Sequence, residues 1–297
     1  MDYEESLTLG LEFTTMTLRI AIPAFMIAVA LGPRPAQAQR SAPPAPANPN
    51  VILATTTSLQ ETGLLDSIVP LFYRATGYRM RAIAVGSGEA LKMGERGDAD
   101  VVFAHSPAAE QAFMAAGHGV RRVVVATNYF TIVGPPEDPA RVREAASAPE
   151  ALARIRAAGA VFVSRGDSSG TNARELQLWR QAGGFQSWPG YIETGQGMAA
   201  TLLVAEERRG YTLTDRGSYA NMRAHLTLVP LRDRDRALLN VYHVIELNPA
   251  GHPRMNVAGG HAFAEFMTSP AIQDYLDQYG RQKFGAPLFV PARGVEP

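Results

Sequence analysis

From Val51 onward, short apolar runs alternate with stretches of helical spacing, and the junctions between them are rich in Ser, Thr and Gly. That alternation constrains the fold more than any other feature of the chain. "VILAT" reads as a strand. "GLLDSIVPLFYRATG" sets Leu64, Leu65, Ile68, Val69 and Phe72 at helical spacing and stops at Gly77, with a kink expected at Pro70. "YRMRAIAV" reads as a strand, "EALKMGERG" as a helix, "ADVVFAH" as a strand and "PAAEQAFMAAG" as a helix. Repeated strand–helix–strand units predict an α/β protein whose parallel sheet is covered on both faces.

The second half keeps the same rhythm. "RRVVVATNYFTIVGP" is a long β-rich segment expected to break at Asn128, and "ARVREAASAPEALARIRAAG" reads as helical. Strand, loop and helix recur between Ala160 and Gly183, and again in "WPGYIE" with "TGQGMAATLLVAEERRG" and in "YTLTDRGSYANMRA". "LLNVYHVIELNP" is a second long β segment, and "AGGHAFAEFMTSPAIQDYLDQYG" closes the chain with helices. Two regions of strand–helix units joined by two long β segments predict two lobes, crossed twice by the chain. Lobe 1 is placed at 50–127 plus 241–297 and lobe 2 at 128–240. No short internal repeat is found.

The chain has 297 residues, enough for such a pair of lobes. Its 28 basic and 28 acidic residues balance, which argues against nucleic acid or an acidic membrane surface as partner. It contains no cysteine, so disulfides, thiolate catalysis and Cys-ligated zinc are excluded. Its six histidines, at 105, 118, 225, 243, 252 and 261, show no metal-ligand spacing. His243 in "VYHVI" reads as a packed or hinge residue, and neither metal nor cofactor is expected. Near the N-terminus, Arg19, the apolar stretch Ile20–Leu31 and Ala36-Gln37-Ala38 form the three parts of a secretory signal, with cleavage expected after Ala38. Residues 1–38 are therefore expected to be a signal peptide, started at Met1 or Met16. Residues 39–49, rich in Pro and Ala, are expected to be a flexible leader. The apolar stretch is too short to span a bilayer, and a lipoprotein cysteine is lacking. A soluble periplasmic protein is expected.

Ligands of open α/β sheets sit beyond the carboxyl ends of strands, near helix N-termini, and a two-lobed protein adds a cleft. Four junctions stand out. Thr55-Thr56-Thr57-Ser58 puts four hydroxyls between a strand and a helix, more than one cap requires. Ser87 lies between Gly86 and Gly88, which permit close backbone approach. "SRGDSSGTN" carries Arg165, whose planar fork of donors suits oxyanions. Ser168, Ser169, Gly170 and Thr171 precede a helix there, and Asp167 is placed to cap that helix or to hold Arg165. Thr194-Gly195-Gln196-Gly197-Met198 forms the fourth junction. Hydroxyls, N–H groups and one guanidinium make a cage of donors suited to a small, fully deprotonated oxyanion. A protonated anion such as hydrogen phosphate would need a facing acceptor, and Asp167 is the obvious carboxylate.

"GDSSG" also satisfies G-x-S-x-G, with Ser168 as nucleophile and Asp215, His225 or His243 as possible partners. A secreted serine hydrolase therefore stands as the alternative. It leaves the hydroxyls at 55–58 and Arg165 without a role.

"ILATTTSLQETGLLD", "AVGSGEALKMGERGDADVVFAHSP", "FVSRGDSSGTN", "WPGYIETGQGM", "YTLTDRGSY" and "NVYHVIELNP" together resemble the periplasmic tungstate-binding components of tungstate ABC transporters. The resemblance runs from about Val51 to Pro291. It implies a type II periplasmic binding fold, two-lobed with a hinge, that closes on a tetrahedral oxyanion without chemistry. It implies a membrane permease and a cytoplasmic ATPase as partners, and the protein is expected to be a monomer. It implies that Thr56, Thr57, Ser58, Arg165 and Thr171 contact the anion. Ser87 and Ser169 join them from the donor reading of their loops. Related binding proteins of the same two-lobed architecture take molybdate, sulfate and phosphate, so those anions stay open as ligands. The chain departs from the family's usual Asp-Asp at Asp167-Ser168 and from its usual histidine at Asn172.

Overall fold

The computed structural model describes residues 46–293. The expected signal peptide and most of the expected leader lie outside the described residues. In chain order the elements are β1 (Asn50–Thr56), α1 (Thr57–Glu61), α2 (Leu64–Thr76), β2 (Arg79–Val85), α3 (Ser87–Arg96), β3 (Val101–Ala104), α4 (Pro107–Ala115) and β4 (Gly119–Gly134). There follow α5 (Ala148–Ala157), β5 (Phe162–Ser164), α6 (Gly170–Gln181), β6 (Tyr191–Glu193), α7 (Met198–Glu207), β7 (Thr212–Asp215), α8 (Arg216–Met222) and β8 (Val229–Arg232). The chain closes with β9 (Leu239–Leu247), α9 (Val257–Thr268), α10 (Pro270–Gln278), α11 (Arg281–Phe284) and β10 (Val290–Pro291).

The fold is α/β with flanking helices; its eight-stranded sheet is mixed rather than parallel-rich, and its two-stranded sheet is parallel. β2, β1 and β3 pair in parallel, as the strand–helix units require, and β5 pairs β6 in parallel. The two long β segments run against this direction. β9 is antiparallel to both β3 and β4, and β4 is antiparallel to β7, β8 and β10. β4 is long enough to serve two neighbourhoods. Its residues Gly119–Tyr129 pair β9, and Phe130–Gly134 pair β7 and β8.

Asn128 does not break β4. It faces Asn240 of β9 in register, and the two carboxamides meet where Asn240 Nδ2 donates to Asn128 Oδ1 at 2.9 Å. Asn128 Nδ2 donates to the Tyr242 hydroxyl at 3.2 Å. A buried polar side chain with its partners satisfied costs a strand little. The helix expected across 140–159 is also shorter. Residues 142–144 form a single 3₁₀ turn after Arg141 in the left-handed region (φ 55°). The α-helix starts only at Ala148, where the Ser147 side chain accepts from Glu150 N and Pro149 occupies the first turn. α2 runs unbroken through Pro70 to its cap at Gly77 (φ 79°).

Hydrophobic packing divides along the chain. One cluster gathers Leu53, Ile68, Phe72, Phe103, Tyr242, Phe263 and Leu276, and a second gathers Ala90, Val102, Phe113 and Ile245. The buried residues of both come from the chain up to Ala126 and from Tyr242 onward. Two further clusters, one around Phe130, Leu152, Phe162 and Trp179 and one around Val163, Met198 and Leu202, draw their buried residues only from 130–238. Rings lock the first core edge to face: Phe72 and Phe263 lie 5.4 Å apart at 82°.

Candidate functional site

β1, β2, β3, β5 and β7 each end in a polar junction, and the structure brings those of β1, β2, β3 and β5 against one another. The β2–α3 and β5–α6 junctions touch. An added Cβ on Gly86 would lie 3.7 Å from Ser168 O, and one on Gly170 would lie 2.9 Å from Ser87 Oγ and 2.8 Å from His105 Cε1. Only a residue without a side chain lets α6 begin this close to Ser87 and His105. From the β1 side, Ser58 Oγ lies 2.9 Å from His105 Nε2. The β6–α7 junction approaches α1, where a Cβ on Gly197 would stand 3.3 Å from Glu61 Oε1.

Within this cluster several donors are buried and, among the described residues, lack a protein partner. Arg165 is 3% exposed. Its Nη2 donates to Asp167 Oδ2 at 2.5 Å, whereas Nε and Nη1 have no hydrogen-bond partner. Ser87 Oγ and Thr171 Oγ1 are likewise buried without one. Buried polar groups are otherwise almost always paired, so donors left over in one place mark a recognition surface. Of its two expected roles Asp167 has the second: it holds Arg165, while its Oδ1 accepts from Ser169 N at 3.1 Å and the side chain that caps α6 is that of Ser169.

The other polar residues of these loops are more engaged. Thr55 Oγ1 donates to Phe103 O at 2.9 Å, tying β1 to β3. Thr56 caps α1, accepting from Leu59 N, and stands 3.3 Å from Ser58 Oγ. Thr57 is half-buried at the first position of α1. Ser169 caps α6 by accepting from Asn172 N at 3.2 Å, which leaves its hydroxyl hydrogen available. Asn172 supports the loop, accepting from Ser168 N at 3.3 Å.

Four residues of the site were not among the expected contacts. His105 is buried at the end of β3, with Nδ1 3.0 Å from Asn240 Oδ1 and its ring stacked on Tyr242 at 5.0 Å. Asp215 is fully buried at the end of β7. Its Oδ1 caps α8 by accepting from Ser218 N at 2.9 Å, and its Oδ2 has no partner. Glu61, at the end of α1, accepts from the Ser218 hydroxyl at 3.1 Å. Asn240 joins His105 to Asn128 and Tyr242. The expected cage of donors is therefore incomplete as a description: two carboxylates stand beside it. Burial, with the charge of Asp215 second, raises the Glu61 carboxyl above its ordinary value. Burial pushes the His105 imidazole below its ordinary value, against the pull of Asp215 and the Asn240 bond. His105 and Asp215 had one available signal, their place at the carboxyl ends of strands.

The nucleophile reading of Ser168 fails on geometry. Ser168 is exposed, in the left-handed region (φ 59°), and its bond to Asn172 is donated by its backbone N–H. The histidine nearest the loop, His105, bonds Ser58 and Asn240 instead. His243 packs on Glu110, Nδ1 to Oε2 at 2.8 Å, and Asp215 caps a helix. Among the described residues no three His, Asp or Glu side chains cluster to hold a metal ion.

A family model described as a PBP superfamily domain matches residues 43–271. The protein named tungstate-binding protein TupA of Peptoclostridium acidaminophilum is 42% identical over 246 residues, 82% of this chain and 85% of that one. Among solved structures, the tungstate binding protein TupA from Desulfovibrio alaskensis G20 is 43% identical with a TM-score of 0.72, over 82% of this chain and 98% of that one. The structure described as the tungstate ABC transporter from Geobacter sulfurreducens is 42% identical with a TM-score of 0.70, over 77% and 98%.

Proposed function

Because the chain belongs to the PBP superfamily, we propose that it is the solute-binding component of an ABC transporter and that its cargo in the periplasm is tungstate. It is a binding protein and not an enzyme. One observation carries the reading: Arg165 Nε and Nη1, Ser87 Oγ and Thr171 Oγ1 are buried donors without protein partners, gathered where strand ends meet helix starts. A tetrahedral oxyanion supplies acceptors in several directions at once and matches that array. Thr56, Thr57, Ser58 and Ser169 complete the proposed set of contacts.

The two groups of hydrophobic clusters are assigned to two lobes, 50–127 with 241–297 and 128–240. β4 and β9 connect them and form the hinge. Closure of the lobes buries the anion, and the closed monomer hands it to a permease driven by an ATPase. Signal-peptide cleavage after Ala38 delivers the chain to the periplasm. Calorimetric titration with tungstate, molybdate, sulfate and phosphate tests the cargo. Tungstate is expected to bind tightest. Tightest binding of sulfate or phosphate would overturn the assignment, and competition between tungstate and molybdate ranks that pair. Phosphate belongs in the series because Asp215 Oδ2 is a buried acceptor of the kind hydrogen phosphate requires.

A further inference from the structure

We propose that His105 is the proton-accepting residue of this site, and that capture of a divalent oxyanion takes up a proton from solvent onto its imidazole. The inference rests on the oxyanion reading above and on two features of the structure.

The first is hydrogen accounting along one chain of bonds. Asn240 Nδ2 donates to Asn128 Oδ1 and to the Tyr242 hydroxyl, both at 2.9 Å. Its Oδ1 therefore faces His105 Nδ1 as an acceptor at 3.0 Å, and Nδ1 carries a hydrogen. In the neutral imidazole Nε2 is then a lone pair. The Ser58 hydroxyl, 2.9 Å away, must donate to it. In that state Ser58 offers an incoming anion only lone pairs. Protonating Nε2 reverses the bond: the imidazolium donates to Ser58 Oγ, and the Ser58 hydrogen is released toward the anion. One proton converts Ser58 from an acceptor into a donor and places a positive charge behind it.

The second is charge. Arg165 is neutralised by Asp167, and Asp215 and Glu61 add two more carboxylates beside it. A dianion entering beside these groups needs a further positive charge. The charged groups that act on His105 are Asp215 from β7, Glu110 from α4 and Arg165 from the β5–α6 junction. β9 and β4 face it with the uncharged Asn240, Tyr242 and Phe130. Asp215 and Glu110 favour the imidazolium, and Arg165 opposes it. An anion paired with Arg165 cancels that opposition and adds its own attraction. Without anion, burial keeps His105 neutral at neutral pH. The window of coupling therefore opens below the ordinary imidazole value and closes at the raised value of the complex. Inside it, affinity falls as pH rises, approaching about tenfold per pH unit for one proton.

The test is calorimetry of the full mature chain with sodium tungstate at about pH 7.5, in Tris, HEPES and MOPS, whose ionisation enthalpies differ. The slope of observed enthalpy against buffer enthalpy counts the protons bound. Wild type is expected to take up a measurable fraction of one proton, with an affinity that weakens as pH rises. His105→Gln is expected to show no uptake and a flat pH profile. Glu61→Gln is expected to retain the uptake. Nitrogen-15 spectra of the histidine rings give a second measurement that needs no variant, with Nε2 of His105 gaining a proton on tungstate addition. Tungstate binding without proton uptake, or uptake unchanged in His105→Gln, overturns the proposal and leaves the cargo assignment standing. Absence of binding by any of the four anions refutes both.

Discussion

Replacing Arg165 with methionine removes the buried guanidinium of the site while keeping much of its apolar stem. The structure sets the size of the loss. Nε and Nη1 are the two N–H directions without a protein partner, and Nη2 is committed to Asp167. Charge-assisted hydrogen bonds contribute about 1.5–3 kcal/mol each, so two of them amount to about 3–6 kcal/mol. That corresponds to a dissociation constant raised by about a hundredfold to about ten-thousandfold. The variant also leaves Asp167 without its cation, so Arg165→Met is paired with the double variant carrying Asp167→Asn, which removes the residual repulsion. Arg165→Lys keeps the charge but replaces a planar fork with a point charge, and its loss is expected to be intermediate. Tungstate titration calorimetry reads all three, with circular dichroism verifying the fold. A loss below about tenfold in a folded Arg165→Met protein would refute the claim that these two N–H groups face the ligand.

Gly170→Ala places a methyl group where Ser87 Oγ and His105 Cε1 already lie, at 2.9 and 2.8 Å from the ideal Cβ. Overpacking of this size costs about 1–3 kcal/mol; taken up by displacement of Ser87 and His105, it is expected to weaken tungstate binding by about fivefold to about a hundredfold by calorimetry. Phe263→Ala opens a cavity between Phe72 and Phe103 and is expected to cost about 3–5 kcal/mol, read as a lowered thermal midpoint with the anion affinity kept. Glu175 is buried, and burial raises its carboxyl above the ordinary value despite bonds from Ser164, Tyr191 and Trp179. A raised folded value means its contribution to stability is fully present below the ordinary carboxyl value and declines as pH rises through the raised one. Denaturant midpoints measured across that window are expected to fall in wild type and to flatten in Glu175→Gln.

Much of the architecture was readable because it depends on local pattern. Apolar spacing located β1, α2, β2, α3, β3 and α4 within a few residues, since each buries one face that its own sequence must supply. The antiparallel course of β4 and β9 was not readable in this way. Strand direction here is set by pairing between segments far apart in the chain, Val124 against His243 for example, and no local pattern carries it. Asn128 looked like a strand breaker because the partners that satisfy it, Asn240 and Tyr242, lie more than a hundred residues away. The late start of α5 was written locally, in Ser147 and Pro149, and apolar spacing alone runs past it.

The same division runs through the site. The sequence alone determined that strand ends carry hydroxyls and that one arginine stands among them, because residue type and position after a strand are local facts. Tertiary structure alone decided which of those donors remain unpaired. Thr55 spends its hydrogen on β3, Thr56 caps α1 and Ser58 binds His105, whereas Ser87, Thr171 and two nitrogens of Arg165 are left over. It also decided that Asp215 and Glu61 stand beside the donors. A hydroxyl has one hydrogen, and where that hydrogen goes is set by whichever acceptor the fold brings within about 3 Å.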